Sequence, residues 1–312
     1  WTSPCTTSMA GASACTSSEQ WWQRWYRGCM TTLNRAFESR SWSRIPAGSA
    51  DLKLIACDMD GTLVLPDGRL PEELWPLLER LGERGITFVP ASGRQYATLA
   101  AMFEGRPGRS SFIAENGNLV VHQGQVISSD SLEPGTVHEV IDLVRGADRD
   151  LGLVVCGRET AWIERTDAGF EGEVRRYYAE LRKVSDLHEV EDTVLKLAIY
   201  DADDSATVAD TMLEPLSATH QVVVSGSNWV DVMTPWPDNG RAWLRLQAEL
   251  GLGAQQTAAF GDYHNDLELL AAAQWSFAMA NAHPDVIAAA RYIAPANSEL
   301  GVIRVLEHLL GL

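Results

Sequence analysis

With 312 residues and 46% hydrophobic content, the chain is long enough to bury two cores, and two domains are expected. Its 42 acidic side chains against 25 basic ones leave a formal charge of -17, which argues against nucleic acid or an anionic membrane as partner of the main body. Five cysteines (Cys5, Cys15, Cys29, Cys57 and Cys156) show no paired metal-ligand spacing, and no stretch approaches the ~20 apolar residues of a membrane helix. Reduced thiols and a cytoplasmic setting are the expectation.

Residues 1–50 differ from the rest. They are rich in Ser and Thr, contain Trp1, Trp21, Trp22, Trp25 and Trp42, and carry five arginines against two glutamates. An Arg-rich, acid-poor leader suits an organelle transit peptide. Glu19 to Phe37 suits an amphipathic helix. The reading adopted is a disordered extension, because the pattern that follows is complete without it.

From residue 52 strand and helix alternate. Leu52 to Cys57 is a short apolar run and predicts a buried strand. Leu70–Arg84 predicts a helix with Leu74, Leu77, Leu78 and Leu81 on one face, ended by Gly85. A second strand follows at Ile86–Val89, a helix at Gln95–Phe103 and a third strand at Phe112–Ala114. The turn Glu115-Asn116-Gly117-Asn118 closes this unit. Such a β-α-β-α-β order predicts a doubly wound, parallel α/β sheet.

Beyond about residue 124 the pattern becomes α+β. Helices are expected at Val137–Val144, Gly169–Leu181 and Ala206–Leu213. Strands are expected at Leu153–Val155, Ala161–Ile163, Leu195–Tyr200, Val222–Val224 and Trp229–Met233. From Asn239 the alternation resumes and ends in a helix at Val302–Leu310. The expected division is therefore a core of 51–123 and 235–312 with residues 124–234 inserted as a second, smaller unit.

Two acidic stretches carry the chemistry. Asp58-Met59-Asp60-Gly61-Thr62-Leu63 follows the first strand. Carboxylates two residues apart at the carboxyl end of such a strand point into the crevice where open α/β sheets bind ligands. One can attack a phosphorus atom and the other can handle the proton of the leaving group. Gly61 lets backbone approach a phosphate, and Thr62 adds a short polar side chain beside it. Alone, this pattern is also that of a polar turn. The second stretch, Gly261-Asp262-Tyr263-His264-Asn265-Asp266, again follows an apolar run, Thr257 to Phe260. Two acidic loops some two hundred residues apart, each at a strand end, suggest one divalent-metal site.

Together with Ala91-Ser92-Gly93-Arg94 and the tail Phe277-Ala278-Met279-Ala280-Asn281-Ala282-His283-Pro284, these stretches resemble the haloacid dehalogenase-like phosphatases of the Cof-type branch. The resemblance covers roughly residues 51–312. It implies a Rossmann-like core with an α+β cap, and hydrolysis of a small soluble phosphomonoester such as a sugar phosphate or phosphorylated cofactor. It further implies Asp58 as nucleophile, forming an aspartyl-phosphate, and Asp60 as the acid that protonates the leaving oxygen and then deprotonates water. Mg²⁺ would be held by Asp58, the Asp60 main-chain carbonyl and Asp262, with Asp266 as a further ligand or a supporting group. Asn265 would hydrogen-bond the phosphate or a neighbouring carboxylate.

Ser92 and the Gly93 amide are expected to grip the phosphate at the start of a helix, a natural anion site. Arg94 either reaches the substrate or pairs with an acidic residue. Asn116 is a turn residue that also qualifies for substrate contact. His264 reads as ordinary, since a Mg²⁺ site rarely takes imidazole, and His283-Pro284 reads as a helix start.

One position departs from the family pattern. The family's lysine in a Lys-Gly pair corresponds here to Asn239, in Pro237-Asp238-Asn239-Gly240-Arg241. The chain's lysines are Lys53, Lys183 and Lys196, the last in an expected cap strand and either structural or substrate-facing. Asn239 and Arg241 join Arg94 and Asn116 as candidates for substrate contact. A phosphometabolite-binding protein with weakened catalysis is the alternative reading. A mutase is disfavoured, because its smaller cap directly follows the first motif and the spacing here is too short for one.

Overall fold

The computed structural model describes residues 40–106, 111–235 and 239–312. Its strands fall into two sheets. In chain order the first six are β1 (Arg40–Ser41), β2 (Leu54–Asp58), β3 (Thr87–Ala91), β4 (Ser111–Ala114), β5 (Leu119–His122) and β6 (Gln125–Ser129). Then come β7 (Leu151–Gly157), β8 (Ala161–Ile163), β9 (Leu181–Lys183), β10 (Val194–Asp201), β11 (Gln221–Gly226) and β12 (Trp229–Met233). The chain returns with β13 (Thr257–Gly261), β14 (Trp275–Met279) and β15 (Tyr292–Ala294).

The nine-stranded sheet runs β1-β15-β14-β13-β2-β3-β4-β5-β6. Pairing is parallel from β1 to β4 and antiparallel from β4 through β6. Every residue of β2, β3 and β13 is buried, as expected of parallel strands covered by helices on both faces. Helix α1 (Leu74–Glu83) buries Leu74, Leu77, Leu78 and Leu81, one stripe at helical spacing. It stops where Gly85 takes a φ of +69°. Helices α2 (Tyr96–Ala101), α3 (Pro134–Gly146), α4 (Ala168–Val174), α5 (Asn239–Glu249), α6 (Leu267–Ala271), α7 (Pro284–Ala289) and α8 (Gly301–Leu310) follow. The fold is α/β with an inserted second sheet.

That second sheet runs β11-β12-β10-β7-β8-β9 and is antiparallel except for β8 with β9. Two expectations shift at its borders. β6 pairs with β5 and so belongs to the first sheet, although residues 124–234 were expected in the insert. The helix expected through Leu181 ends at Val174, and Leu181–Lys183 is strand β9, paired to β8.

The expected extension also needs correcting. Residues 1–39, with the Glu19–Phe37 helix, lie outside the described residues. Residues 40–50, however, are part of the first sheet's body. β1 pairs in parallel with β15, and Ile45 is buried in the core. Ile45 O accepts a 2.6 Å hydrogen bond from His308 Nε2, and Trp42 packs edge-on against the His308 ring. Burying an isoleucine contributes about 2 kcal/mol. The compositional break at Leu52 therefore lies inside the folded unit.

Candidate active site

Neighbouring strands place the motif loops side by side. β13, β2 and β3 are adjacent and parallel, with Phe260 opposite Cys57 and Asp58 opposite Ala91. The stretches that begin at Asp58, Ser92 and Asp262 thus leave the same edge of the sheet, at its carboxyl ends.

After Asp58 the chain makes one wide turn through Leu63, closed by a 2.8 Å hydrogen bond from Val64 N–H to Met59 O. Gly61 sits in it at φ +86°, and a Cβ there would land on the Asp262 carboxylate, 2.7 Å from its Cγ. Glycine is required twice over, by the backbone and by the approach of Asp262.

Asp58, Asp262 and Asp266 each bring a carboxylate oxygen within 4.8 Å of the others. Asp58 is 6% exposed and Asp266 is fully buried. Thr62 Oγ1 donates to Asp262 Oδ1 at 3.1 Å. Asp266 Oδ2 accepts from the backbone N–H of Asp262 and of Tyr263, at 3.0 and 3.3 Å. Asp58 Oδ2 and Asp266 Oδ1 are buried with no hydrogen-bond partner. Burial, then the charges of Asp266 and Asp262, push the Asp58 carboxyl well above its ordinary range. Burial pushes Asp266 up to about 7. Three close carboxylates with two unpartnered oxygens fit a divalent cation that takes oxygen ligands.

The Asp60 carboxylate lies outside this group and 60% of its side chain is exposed. Arg94 grips it with two bonds, Nε to Oδ2 at 3.0 Å and Nη2 to Oδ1 at 2.5 Å. Both positions expected for Arg94 are seen: it pairs with the acid Asp60 and it lines the neighbouring cleft. Above the loops, a cleft of ≈ 640 Å³ separates them from the second sheet, with Asp60, Ser92 and Asn116 on one wall and Tyr177, Trp229 and Asp231 on the other.

Lys196, on β10, reaches from the inserted sheet to the floor of this cleft. Its Nζ lies 3.0 Å from Glu115 Oε2, 3.4 Å from Asp231 Oδ2 and 3.4 Å from the Gly93 carbonyl. Burial opposes its charge, and Asp231 and Glu115 together more than reverse that, so Lys196 is held as the ammonium. Glu115 and Asn116 both have positive φ, +51° and +56°, a strained region for such residues. Their N–H groups donate to Arg94 O and Ser92 O, which ties the turn to the second motif.

The model of the haloacid dehalogenase-like hydrolases matches residues 55–306. The chain belongs to the haloacid dehalogenase-like hydrolases. A 5-amino-6-(5-phospho-D-ribitylamino)uracil phosphatase of Escherichia coli (strain K12) is 30% identical to this hydrolase over 263 residues, which is 83% of this chain and 96% of that protein. An HMP-PP phosphatase of Enterobacter sp. (strain 638) is 26% identical over 240 residues, 76% of this chain and 87% of that one. Among solved structures, the subclass IIB sugar phosphatase BT4131 superposes with a TM-score of 0.66 at 19% identity, covering 82% of this chain and 98% of its own.

Several site residues of the hydrolase differ from their sequence reading. Thr62 was expected at a phosphate, but it is 1% exposed and its hydroxyl holds Asp262. Ser92 and Gly93 line the cleft, yet helix α2 begins only at Tyr96, so they act from a loop rather than from a helix start. Asn116 is both turn residue and cleft wall. Asn265 is exposed on the acidic loop. Asn239 is 1% exposed, with both polar side-chain atoms unpartnered. It lies against Asp266, where its amide offsets a little of the rise in that carboxyl. It is not among the residues that line the cleft. Arg241, half-buried two residues on, is not among the residues that line the cleft.

Asn281 was not singled out by sequence reasoning. Its Nδ2 donates to Gly61 O at 2.7 Å, and its Oδ1 accepts from Asn297 N–H at 3.1 Å. It locks the Asp58 turn to the far end of the chain. Its position inside the Phe277–Pro284 tail was the available signal.

Proposed function

We propose that this hydrolase is a phosphatase that removes phosphate from a small soluble phosphomonoester. The observation that carries the reading is Asp58, a buried carboxylate with an unpartnered oxygen at a strand end beside Asp262 and Asp266. The two relatives named above are phosphatases, which supports turnover rather than simple binding. The 5-amino-6-(5-phospho-D-ribitylamino)uracil acted on by one of them carries a polar ring. The cleft here, with Tyr177, Trp229, Asp231 and Lys196, suits a polar body of that size.

In this proposal Asp58 attacks phosphorus, forming an O–P bond as the bond to the leaving oxygen breaks. Asp60 supplies the proton to that oxygen. Water then attacks phosphorus, Asp60 takes its proton, and the Asp58 ester opens to release inorganic phosphate. Asp60 must leave the grip of Arg94 to do this, and a substrate phosphate competing for the guanidinium is the natural trigger. Ser92 and the Gly93 amide orient the phosphate from the loop. Asp58, Asp262 and Asp266 would hold Mg²⁺, which when bound offsets negative charge on the transferring group. Thr62 and Gly61 keep Asp262 in place for that role.

Asn239 in place of the family lysine favours a second reading, a binding protein of the same fold with weakened catalysis. Release of inorganic phosphate from a panel of phosphomonoesters, with Mg²⁺, separates the two. Turnover is expected for the wild type, with a loss of roughly 10,000-fold or more in Asp58→Asn at unchanged melting temperature. Equal rates in Asp58→Asn and wild type would overturn the mechanism.

A further inference from the structure

A second cluster of side chains with metal-ligand chemistry lies between the same acidic loop and the start of α7, outside the three carboxylates. His264 stands between Asp262 and Asp266 in the turn that ends at Asp266. His283 precedes α7, and Asp285 follows in its first turn. Each offers one ligand atom within 4.8 Å of the other two. His264 Nε2 is 3.1 Å from Asp285 Oδ2, and His283 Nδ1 is 3.5 Å from the same oxygen. The two imidazole rings lie 4.2 Å apart, centroid to centroid.

The geometry points to a divalent transition-metal site formed by His264, His283 and Asp285. A tetrahedral ion with bonds of about 2.0–2.1 Å sets its donor atoms about 3.3 Å apart. The two nitrogen–oxygen distances fall on either side of that value. His283 Nδ1 accepts a long 3.3 Å bond from Asp285 N–H, a weak bond that an ion at this nitrogen would replace. The His264, His283 and Asp285 side chains are 44%, 38% and 68% exposed, so an ion reaches them without crossing the core. The His283 N–H donates to Asp262 O at 2.8 Å, which fixes the spacing between loop and helix start before any ion arrives.

Donor chemistry separates this site from the carboxylate one. Two imidazoles and a carboxylate select Zn²⁺, Co²⁺ or Ni²⁺, whereas the all-carboxylate group suits Mg²⁺. With three protein ligands, a fourth position is open to water or an anion. An ion here ties the loop that carries Asp262 and Asp266 to the start of α7, and so acts as a clamp on the neighbouring site.

The test is a titration of the full chain with Co²⁺ in a large excess of Mg²⁺, followed by visible absorption and by isothermal calorimetry. One Co²⁺ per chain with the intense bands of tetrahedral coordination is expected. His264→Gln, and His283→Asn (which keeps an acceptor for the helix start), should each weaken binding at least tenfold, and the pair should remove it. Asp58→Asn should leave it unchanged, so this outcome is independent of whether Asp58 is the nucleophile. The site is overturned if no Co²⁺ binds beyond what extra Mg²⁺ displaces, or if folded His264→Gln/His283→Asn protein binds Co²⁺ like the wild type.

Discussion

Two groups of buried and half-buried carboxylates stand in this molecule, and a lysine ammonium sits in one of them. Around Lys196, Glu115 and Asp231 meet an ammonium at 3.0 and 3.4 Å. Around Asp58, Asp262 and Asp266 three carboxylates crowd together, two oxygens have no hydrogen-bond partner, and burial drives the acids upward. Burying ions is costly unless they are paired. The first group is charge-compensated by Lys196, although both Glu115 oxygens lack a hydrogen bond and burial raises that carboxyl too, and it joins the inserted sheet to the core. The second leaves Asp58 Oδ2 and Asp266 Oδ1 without a hydrogen-bond partner. The distinction lies in which neighbours fold supplies, since both groups are built from the same residue types.

The strongest way to break this contrast is Lys196→Met. It strands two buried carboxylates and should cost about 3–5 kcal/mol. Calorimetry should find a melting temperature lower by about 10 °C for a chain of this size. Adding Glu115→Gln and Asp231→Asn should return most of the loss, because no uncompensated charge is left. A thermally silent Lys196→Met would mean that the group is not ionic, and the contrast would fail.

Asn239→Lys sharpens the comparison from the other side. It gives the acidic group a protein ammonium beside Asp266, and should raise kcat/KM with Mg²⁺ by roughly tenfold to a thousandfold, since one charge pair near 4 Å is worth on the order of 4 kcal/mol at an effective dielectric of 20. Arg241→Ala should stay within about twofold of wild type, as residues two apart on a helix do not share a face. Steady-state kinetics of both variants on one phosphomonoester decide it. No gain in the first with collapse in the second would assign the charge to Arg241.

The smallest effect is expected of Asp266→Asn. At pH 8 with a chelator present, removing one of three crowded charges should stabilise the fold by about 1–2 kcal/mol, the opposite sign to Lys196→Met. The amide oxygen can still accept the two backbone bonds at this position. With Mg²⁺ the order should reverse, because the wild type gains stability from the ion and the variant gains less. A lower melting temperature for Asp266→Asn in chelator would contradict the reading of the acidic group as incomplete.

Much of the fold was legible because its signals are local. The apolar run before Asp58 and the leucine stripe of α1 report burial directly. Asp58, Asp262 and Asp266 were legible as a group because each acidic loop follows a strand. What escaped depends on contacts across the chain. Thr62 looks like a phosphate ligand until Asp262 is seen 3.1 Å away. Lys196 was left between two roles because its partners come from a turn and from a neighbouring strand. His264 and His283 each read as ordinary, since nothing in their spacing places both against Asp285. Residues 40–50 were assigned by composition, which carries no sign of their pairing with β15.

The place of β13 in the first sheet has a consequence for how the protein is made. β2 is a central strand, but the neighbour that covers its edge spans Thr257–Gly261, with Leu54 opposite Thr257. At roughly 5–20 residues per second, a ribosome needs roughly 10–40 s to reach that partner. Through that interval the nascent β2 presents an unpaired apolar edge, the kind of template that invites other chains. The inserted sheet faces no such delay, because all its strands are synthesised between Leu151 and Met233. It can close upon itself while the older half of the chain is still waiting, so the late-made β13, rather than β2 itself, sets when Asp58 acquires its surroundings.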